Sequence, residues 1–290
     1  MSEHRPTAAT ADAGARVPDR LSLDLRAGHR LAGKVAIVTG AGQGIGHAVA
    51  RRLAAERALV MAADRGAEGA ERTATELWDH GADARAFVGD LTDPAQAEAL
   101  VAATVEWQGR VDVLVNAVGG ATRFKPLWEW APDEIRAEMD RSLLPTLWCT
   151  LAVLGPMRAA GRGRIVNVGA ESVRNGLWDR APYNVAKGGV HALTTSVARE
   201  LAEVGITCNC VAPGGTNSAP DRLVPRYAPS DDPDEPARRE RLRQRVLTTI
   251  PMGRRAEIEE QAAAIAFLAS DDASFITGQV LSVNGGSSML

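Results

Sequence analysis

One tyrosine and one lysine stand at a spacing that suits acid–base chemistry. Tyr183 and Lys187 are four residues apart in a segment with helical periodicity, so we expect them on one face, one turn apart. A phenol with a pKa of about 10 is a poor base at neutral pH, but a nearby ammonium stabilises the phenolate. The pair could therefore remove the proton of a hydroxyl group. By itself this spacing is weak evidence, because it also occurs by chance on surface helices.

A glycine-rich turn follows the first apolar run of the chain. Thr39–Gly46 reads TGAGQGIG and stands between a strand-like run, Val35–Thr39, and a segment with helical spacing, Ile45–Glu56. Glycines there allow a tight turn and let backbone N–H groups approach a pyrophosphate, which the helix N-terminus attracts. The turn therefore predicts dinucleotide binding. The predicted contacts are Gly40, Gln43, Gly44, Ile45 and Gly46.

The second predicted strand ends in a carboxylate. Asp64 could accept hydrogen bonds from the adenosine ribose and would repel a 2′-phosphate, which favours NAD over NADP. Arg65 could tolerate that phosphate, so NADP stays possible, and a plain surface aspartate is the alternative interpretation. Asp90, with its neighbour Leu91, closes the third strand and could meet the adenine edge. With a nicotinamide in place, the tyrosine could take a proton while hydride leaves the same carbon.

Four motifs in this order resemble the short-chain dehydrogenase/reductase family. They are Thr39–Gly46, Asn116–Gly119 (NAVG), Tyr183 with Lys187, and Pro213–Thr216 (PGGT). The resemblance covers residue 31 to the end. It implies a Rossmann sheet of about seven strands, a nicotinamide cofactor and a homotetramer.

The resemblance also implies roles for individual residues. Tyr183 would be the catalytic acid/base, Lys187 would hold the ribose and lower the tyrosine pKa, and Asn116 would help to fix the cofactor. The backbone contacts to the carboxamide would come from Pro213, Gly214 and Thr216.

Two positions depart from the family pattern. The family's catalytic serine stands thirteen residues before the tyrosine, where this chain has Ala170. We expect Ser172 to polarise the substrate instead, because losing one donor to a developing oxyanion costs a few kcal/mol. Ser172 could alternatively cap a turn, and Glu171 could substitute only if protonated. Ser142 replaces an asparagine that feeds a proton relay in many relatives, and its hydroxyl could join such a relay.

A closer resemblance is to NAD-dependent dehydrogenases of carboxylated arene cis-dihydrodiols, the dihydro-cumate type included. It rests on Arg141–Cys149, Ala212–Thr216, Ala219–Pro220, Val224–Arg226 and the run VNAVGG at 115–120. The implied reaction moves hydride from a secondary carbinol carbon to NAD and gives a catechol, with or without loss of CO₂. The alternatives are a ketoreductase or alcohol dehydrogenase of the same family, and a non-catalytic nucleotide-binding subunit. The intact Tyr183/Lys187 pair speaks against the non-catalytic subunit.

A carboxylated substrate calls for a cation, ideally a bidentate arginine. Any one arginine is more simply solvated, since arginine is the routine basic residue of this chain. The run Arg238–Arg245 is likewise more simply a solvated helix face. The candidates are Arg123, Arg174, Arg180, Arg222 and Arg226.

The elements that would position these residues alternate along the chain. Apolar strand-like runs and helical segments follow one another from Val35 to Val283, which predicts an α/β, single-domain, doubly wound parallel sheet with helices on both faces. We expect this domain to span 31–290, after a flexible extension over 1–30. The proline-rich connection 214–250 is too long for a simple loop, and we interpret it as a substrate lid.

Composition narrows the function classes. The 290 residues include 33 basic and 36 acidic ones, a net charge of −3, which argues against a nucleic-acid partner. We see neither a secretory signal nor a run near the roughly 18 apolar residues of a membrane helix. The three cysteines form no CxxC pair. We therefore expect a cytoplasmic, metal-free enzyme that acts on a small molecule.

Overall fold

The computed structural model describes residues 29–217 and 232–289, which contain one sheet of seven parallel strands in the order β3-β2-β1-β4-β5-β6-β7. This confirms the predicted sheet. The strands are β1 (Val35–Thr39), β2 (Leu59–Asp64), β3 (Ala84–Val88), β4 (Val113–Asn116), β5 (Gly163–Val168), β6 (Ile206–Pro213) and β7 (Val280–Val283).

The α-helices within the described residues lie in the connections between these strands. They are α1 (Gly44–Ala55), α2 (Ala67–Asp79), α3 (Pro94–Gln108), α4 (Pro132–Ser142), α5 (Leu144–Ala160), α6 (Ser172–Asn175), α7 (Ala181–Leu201), α8 (Glu235–Thr248) and α9 (Ile258–Ala269).

Two apolar cores lie on the two faces of the sheet. Ala36 and Val38 of β1 belong to a core that includes side chains of α1 and α9. Ile37, between them, belongs to a second core with side chains of α3, α5 and α7. Successive side chains of a strand point to opposite faces, so fully apolar strands need helices on both sides.

The chain order reverses beside β1. This strand pairs with β2 on one side and with β4 on the other, where Thr39 is opposite Asn116. Connections from the two strands run to opposite sides of such a point and leave a crevice at their carboxyl ends, where α/β proteins bind ligands. The fold therefore provides a binding cleft at this edge.

Residues 132–160 form two helices. α4 and α5 meet at Leu143, because Pro145 has no N–H to donate to the preceding turn. Within the described residues the combined stretch Pro132–Ala160 is long and apolar enough to span a membrane, judged by length and composition alone. This corrects the expectation that no such stretch exists. α5 also supplies Cys149, Val153 and Met157 to a core, and core helices of soluble proteins pass the same test.

Parts of the predicted lid and extension lie outside the described residues. These parts are 1–28 and 218–231, which include Arg222, Arg226 and the motif residues between Ala219 and Arg226. The described part of the predicted lid contains α8, which carries the arginine-rich run.

Candidate active site

A cleft of about 1140 Å³ lies at the carboxyl ends of the strands. Its walls include the residues that follow β1, β2, β3, β4, β5 and β6. Both the glycine turn and the Tyr183/Lys187 pair therefore face one space. The predicted binding residues that line it are Gly40, Gln43, Gly44, Ile45, Gly46, Asp64, Asp90, Leu91, Pro213, Gly214 and Thr216.

The glycine turn is closely packed. Gly40 and Gly44 have φ angles of +64° and +60°, which L side chains rarely adopt. A Cβ at Gly46 would overlap the carbonyl oxygen of Gly40, so α1 can approach β1 only with glycine there. The turn thus leaves the N-terminus of α1 open to the cleft, which suits phosphate groups.

Two carboxylates mark one end of the cleft. Asp64 Oδ2 accepts a hydrogen bond from Gly42 N at 3.0 Å, and Asp64 Oδ1 accepts one from Gly66 N at 3.0 Å. A Cβ at Gly42 would lie 2.9 Å from Asp64 Oδ2, so the turn and the carboxylate fit only without a side chain. Asp90 Oδ1 accepts from Thr92 N and Thr92 Oγ1, and these bonds lower the pKa of Asp90.

Lys187 is almost fully buried, with 2% of its surface exposed. Its Nζ donates to Val118 O at 3.2 Å and to Val168 O at 2.8 Å, which ties α7 to the ends of β4 and β5. The pKa of Lys187 is lowered to about 8, mainly by burial and partly by the Arg141 guanidinium, while Cys210 and Glu138 oppose the change. The lysine is therefore mostly protonated at neutral pH and loses its proton in mildly alkaline solution.

The loop after β4 is shaped around this ammonium. Gly119 has a φ angle of +129°, and a Cβ there would lie 2.8 Å from Lys187 Nζ. Any side chain at Gly119 would therefore displace the lysine or the loop. The sequence analysis included Gly119 in a motif but did not identify this contact.

Ser172 is the hydroxyl that the cleft offers near Tyr183. Its side chain lines the cleft at the start of α6, and its Oγ has no hydrogen-bond partner among the described residues. A buried hydroxyl with no partner has a donor available for a substrate oxygen. Ala170 also lines the cleft, and its N–H donates to His191 Nε2 at 3.4 Å. Burial lowers the pKa of His191 to about 4, which keeps this ring neutral.

Both carboxylate oxygens of Glu171 accept hydrogen bonds from serine side chains near the C-terminus. Its Oε2 accepts a hydrogen bond from Ser282 Oγ at 2.6 Å, and its Oε1 accepts one from the Ser288 hydroxyl. The buried carboxylate therefore ties the segment after β5 to β7 and to the residues that follow it. A substitute for the missing serine must donate a hydrogen bond to the substrate, whereas both oxygens of Glu171 already accept hydrogen bonds from serine hydroxyls.

Asn116 and Ser142 lie behind the cleft wall, outside the set of residues that line it. Asn116 Nδ2 donates to Asn167 Oδ1 at 2.9 Å and to Thr150 Oγ1 at 3.1 Å. Ser142 Oγ donates to Glu138 Oε1 at 3.2 Å. Asn116 was predicted to help to fix the cofactor and Ser142 to join a proton relay. From these positions, each would do so through atoms that lie between it and the cleft.

An ion pair between the buried Glu138 and the partly buried Arg141 holds the loop that carries Val118. Glu138 Oε2 accepts from Thr122 Oγ1 at 2.6 Å, and Glu138 Oε1 accepts from Arg141 at 3.2 Å. Arg141 also donates to Gly120 O. α4 thus clamps the loop whose carbonyl holds the Lys187 ammonium. Sequence reasoning missed this pair, although its i,i+3 spacing just before Ser142 was visible.

An apolar chamber lies beside Tyr183. Its walls are Phe124, Leu177, Tyr183, Leu242 and Val246, all of which line the cleft. Two of these residues belong to α8, so this helix forms part of the site. Arg239, Arg243 and Arg245 of the same helix also line the cleft, and Arg243 and Arg245 are exposed, as a solvated helix face predicts.

The predicted carboxylate-binding arginines differ in position. Arg123 Nε lies 4.0 Å from Glu134 Oε1, and Arg123 Nη1 lies 3.9 Å from Glu235 Oε2. Arg174 donates hydrogen bonds to Ser282 Oγ and Val280 O. Neither lines the cleft. Arg180 does, and its Cζ lies 4.8 Å from the centre of the Phe124 ring.

The structure also describes the cysteines and bears on the expectation of a metal-free protein. Cys149, Cys208 and Cys210 are free and buried, and burial raises each thiol pKa to about 12. Within 29–217 and 232–289, no group of three or more His, Cys, Asp or Glu residues could hold a metal ion.

Comparisons with known proteins agree with this geometry. A family model described as enoyl-(acyl carrier protein) reductase matches residues 40–288. The chain is 44% identical over 261 residues to 2,3-dihydroxy-2,3-dihydro-p-cumate dehydrogenase of Pseudomonas putida, covering 90% of this chain and 96% of that protein. It is 45% identical over 253 residues to 1,6-dihydroxycyclohexa-2,4-diene-1-carboxylate dehydrogenase of Acinetobacter baylyi, covering 87% and 95%. The crystal structure of levodione reductase superposes with a TM-score of 0.81 at 32% identity, covering 89% and 98%.

Proposed function

Because the chain belongs to the short-chain dehydrogenase/reductase family and is an NAD(P)-dependent oxidoreductase, we propose that it oxidises a carboxylated arene cis-dihydrodiol with NAD. The observation that carries the proposal is that Tyr183, Lys187 and the glycine turn face one cleft beside an apolar chamber. The two relatives named above act on dihydroxylated cyclohexadiene acids, which supports the same substrate class here.

The residues of the chain divide the chemistry among them. Tyr183 takes the proton of the substrate hydroxyl, and the Lys187 ammonium one turn away stabilises the phenolate. Ser172 donates its hydroxyl to the substrate oxygen as the carbonyl develops, because its Oγ has no other partner among the described residues. A bound nicotinamide supplies the acceptor for the hydride.

The product explains the direction of the reaction. Oxidation of one carbinol carbon leaves a cyclohexadienone that rearomatises to a catechol, with loss of CO₂ where the carboxylate sits on the other carbinol carbon. Aromatisation makes this direction strongly downhill. The chain needs only to hold the ring with its carbinol at the phenolic oxygen, which is the function that we assign to the apolar chamber.

The residues of the cleft fit NAD. Phosphates would meet the N-terminus of α1 across a turn with no room for side chains. Asp64 and Asp90 stand where the adenosine would lie, and Lys187 and the backbone of Pro213–Thr216 stand at the nicotinamide end. A 2′-phosphate beside Asp64 would meet like charge, which favours NAD over NADP. Asn116 supports the adjoining backbone, and Ser142 couples Glu138 to the end of α4.

The proposal extends to the assembly. α5 exposes 59% of Leu151 although it is among the most apolar helices of the chain. An apolar helix face that is left exposed in one copy is typical of an interface between copies. We therefore propose a homotetramer that works in the cytoplasm, with α8 as part of a substrate lid.

The direct test is a spectrophotometric screen that follows NADH formation. It offers cis-dihydrodiol carboxylates, uncarboxylated cis-dihydrodiols and simple secondary alcohols with NAD, and ketones with NADH or NADPH in the reverse direction. The proposal predicts the highest kcat/KM for a diol carboxylate with NAD. Preferred reduction of a ketone would instead favour the second candidate, a ketoreductase, which the likeness to levodione reductase supports.

A further inference from the structure

We propose that Arg180 is the residue that binds the carboxylate of the substrate. This inference rests on the proposed function, because it names the group that distinguishes a diol acid from a plain diol. Arg180 lies immediately before α7, three residues before Tyr183, and lines the cleft. It is thus carried by the element that carries the acid–base pair.

The guanidinium lies against two walls of the apolar chamber. Its Cζ is 4.8 Å from the centre of the Phe124 ring and 5.9 Å from the centre of the Tyr183 ring. In a diol carboxylate, the carboxylate is on the reacting carbinol's neighbour or one carbon further along the ring. When that carbinol meets the phenolic oxygen, the carboxylate must therefore lie within a few ångströms of Tyr183, where Arg180 stands.

The surroundings suit a charged planar ligand. A guanidinium that stacks on an aromatic ring keeps its N–H edge directed outward, and that edge matches a carboxylate with two parallel hydrogen bonds. The apolar side chains beside it, Phe124, Leu177 and Leu242, suit a six-membered carbon ring. A guanidinium next to this apolar wall is the complement of a cyclic acid.

Other arginines of the cleft lie against other residues, so its position over the Phe124 and Tyr183 rings, and not a lack of contacts, sets Arg180 apart. Arg141 bonds to Gly120 O and Glu138, and Arg255 donates to Thr216 O at 2.9 Å. Arg245 stacks on Trp178, with its Cζ 3.8 Å from the ring centre. Arg239 and Arg243 enter the cleft from α8, and Arg243 serves below as the rival site.

The test compares two substrates in Arg180→Gln and Arg180→Lys. One substrate is a cis-dihydrodiol carboxylate and the other is the same diol without the carboxylate. We expect Arg180→Gln to lower kcat/KM for the carboxylate by about 10- to 100-fold, the value of hydrogen bonds to a charged group, with little change for the plain diol. Arg180→Lys should fall between, because it keeps the charge and loses the bidentate geometry.

Arg199→Gln is the matched control. It removes the same charge from an exposed position near the other end of α7, so kcat/KM should stay unchanged for both substrates. An unchanged ratio of the two kcat/KM values in Arg180→Gln would overturn the inference. The inference would also be overturned if the ratio of the two kcat/KM values fell sharply in Arg243→Gln and stayed at the wild-type value in Arg180→Gln.

A second readout needs no turnover. Benzoate should quench or shift the fluorescence of NADH bound to the wild-type enzyme with a Kd that rises about 10-fold or more in Arg180→Gln, while uncharged benzamide should bind both alike. If the wild type oxidises no diol acid but binds benzoate in this Arg180-dependent way, the function fails and the anion subsite stands. If diol acids are oxidised and neither readout depends on Arg180, the function stands and the subsite fails.

Discussion

Lys187 combines a buried charge with a place in the proposed chemistry. Its pKa falls to about 8 because burial disfavours the ammonium, and the Arg141 guanidinium adds repulsion, whereas Cys210 and Glu138 act in the opposite direction. The lysine is therefore protonated below about pH 8 and loses its charge above it. Since the neutral amine no longer stabilises a phenolate, we expect the rate to have an alkaline limit set by this group.

Glu138→Gln tests that electrostatic control. The change removes the carboxylate that raises the Lys187 pKa, while an amide can keep some of the bonds to Thr122 and Ser142. We expect the alkaline limb of kcat/KM to move to lower pH, measured as a pH–rate profile. Glu134→Gln on the same helix is the control, because Glu134 pairs with Lys125 instead. A limb that stays in place or moves to higher pH would refute this role.

Asp64 governs the choice of dinucleotide in this account. Asp64→Ala removes the acceptor for Gly42 N and Gly66 N and the charge that would repel a 2′-phosphate. We expect the NADP-to-NAD ratio of kcat/KM to rise about tenfold or more, since one hydrogen bond to a charged group is worth about 1.5–3 kcal/mol. The exposed Asp79→Ala is the charge-matched control. An unchanged ratio in Asp64→Ala would remove this role.

At the scale of elements, the sequence predicted most strands and helices because their apolar periodicities are clear. β1 has the predicted bounds, and each end of α1 agrees with the predicted segment Ile45–Glu56 within one residue. The break at Leu143 was not predicted, since the apolar pattern continues through Pro145 and hides the missing hydrogen bond. One face of α8 was expected to be solvated, and Arg241, Arg243 and Arg245 are exposed there; that the helix also packs Leu242 and Val246 against the site was not predicted.

The candidate site was predictable only where motifs encode backbone geometry. The glycine turn and the Tyr183/Lys187 spacing depend on local structure, so their convergence follows from the parallel sheet. The contacts of Glu138 with Thr122 and of Gly119 with Lys187 depend on how a loop crosses a helix. No local pattern specifies such a crossing.

The packing of α1 on β1 can be tested at Gly46. A Cβ there would overlap Gly40 O, so Gly46→Ala must displace the turn. We expect a loss of about 1–3 kcal/mol in unfolding free energy, typical of overpacking, together with weaker NADH binding. Chemical denaturation and fluorescence titration measure the two effects.

Gly155→Ala is the matched control for this change. Gly155 lies in α5 with nothing within 4 Å of its would-be Cβ, so alanine there should gain about 0.5–1 kcal/mol from helix propensity. Equal behaviour of the two variants would contradict the close packing of the glycine turn.

At the scale of the whole molecule, residues of one copy line the cleft, while α5 exposes the apolar side chain of Leu151. Sedimentation equilibrium should give four times the monomer mass for the wild type. Leu151→Arg should shift the enzyme to smaller species with unchanged helical circular dichroism, because a charge replaces an apolar side chain that is 59% exposed in one copy. Thr75→Arg, exposed on α2, is the control. A monomeric wild type would contradict the proposed assembly.

The central claim is that Tyr183 moves the substrate proton while Lys187 holds the charge beside it. Tyr183→Phe tests it most directly. The account predicts that kcat for diol oxidation falls by about 10²–10⁴-fold, the range of general acid–base catalysis, while NADH still binds as measured by its fluorescence. Near-normal turnover of Tyr183→Phe would contradict the account.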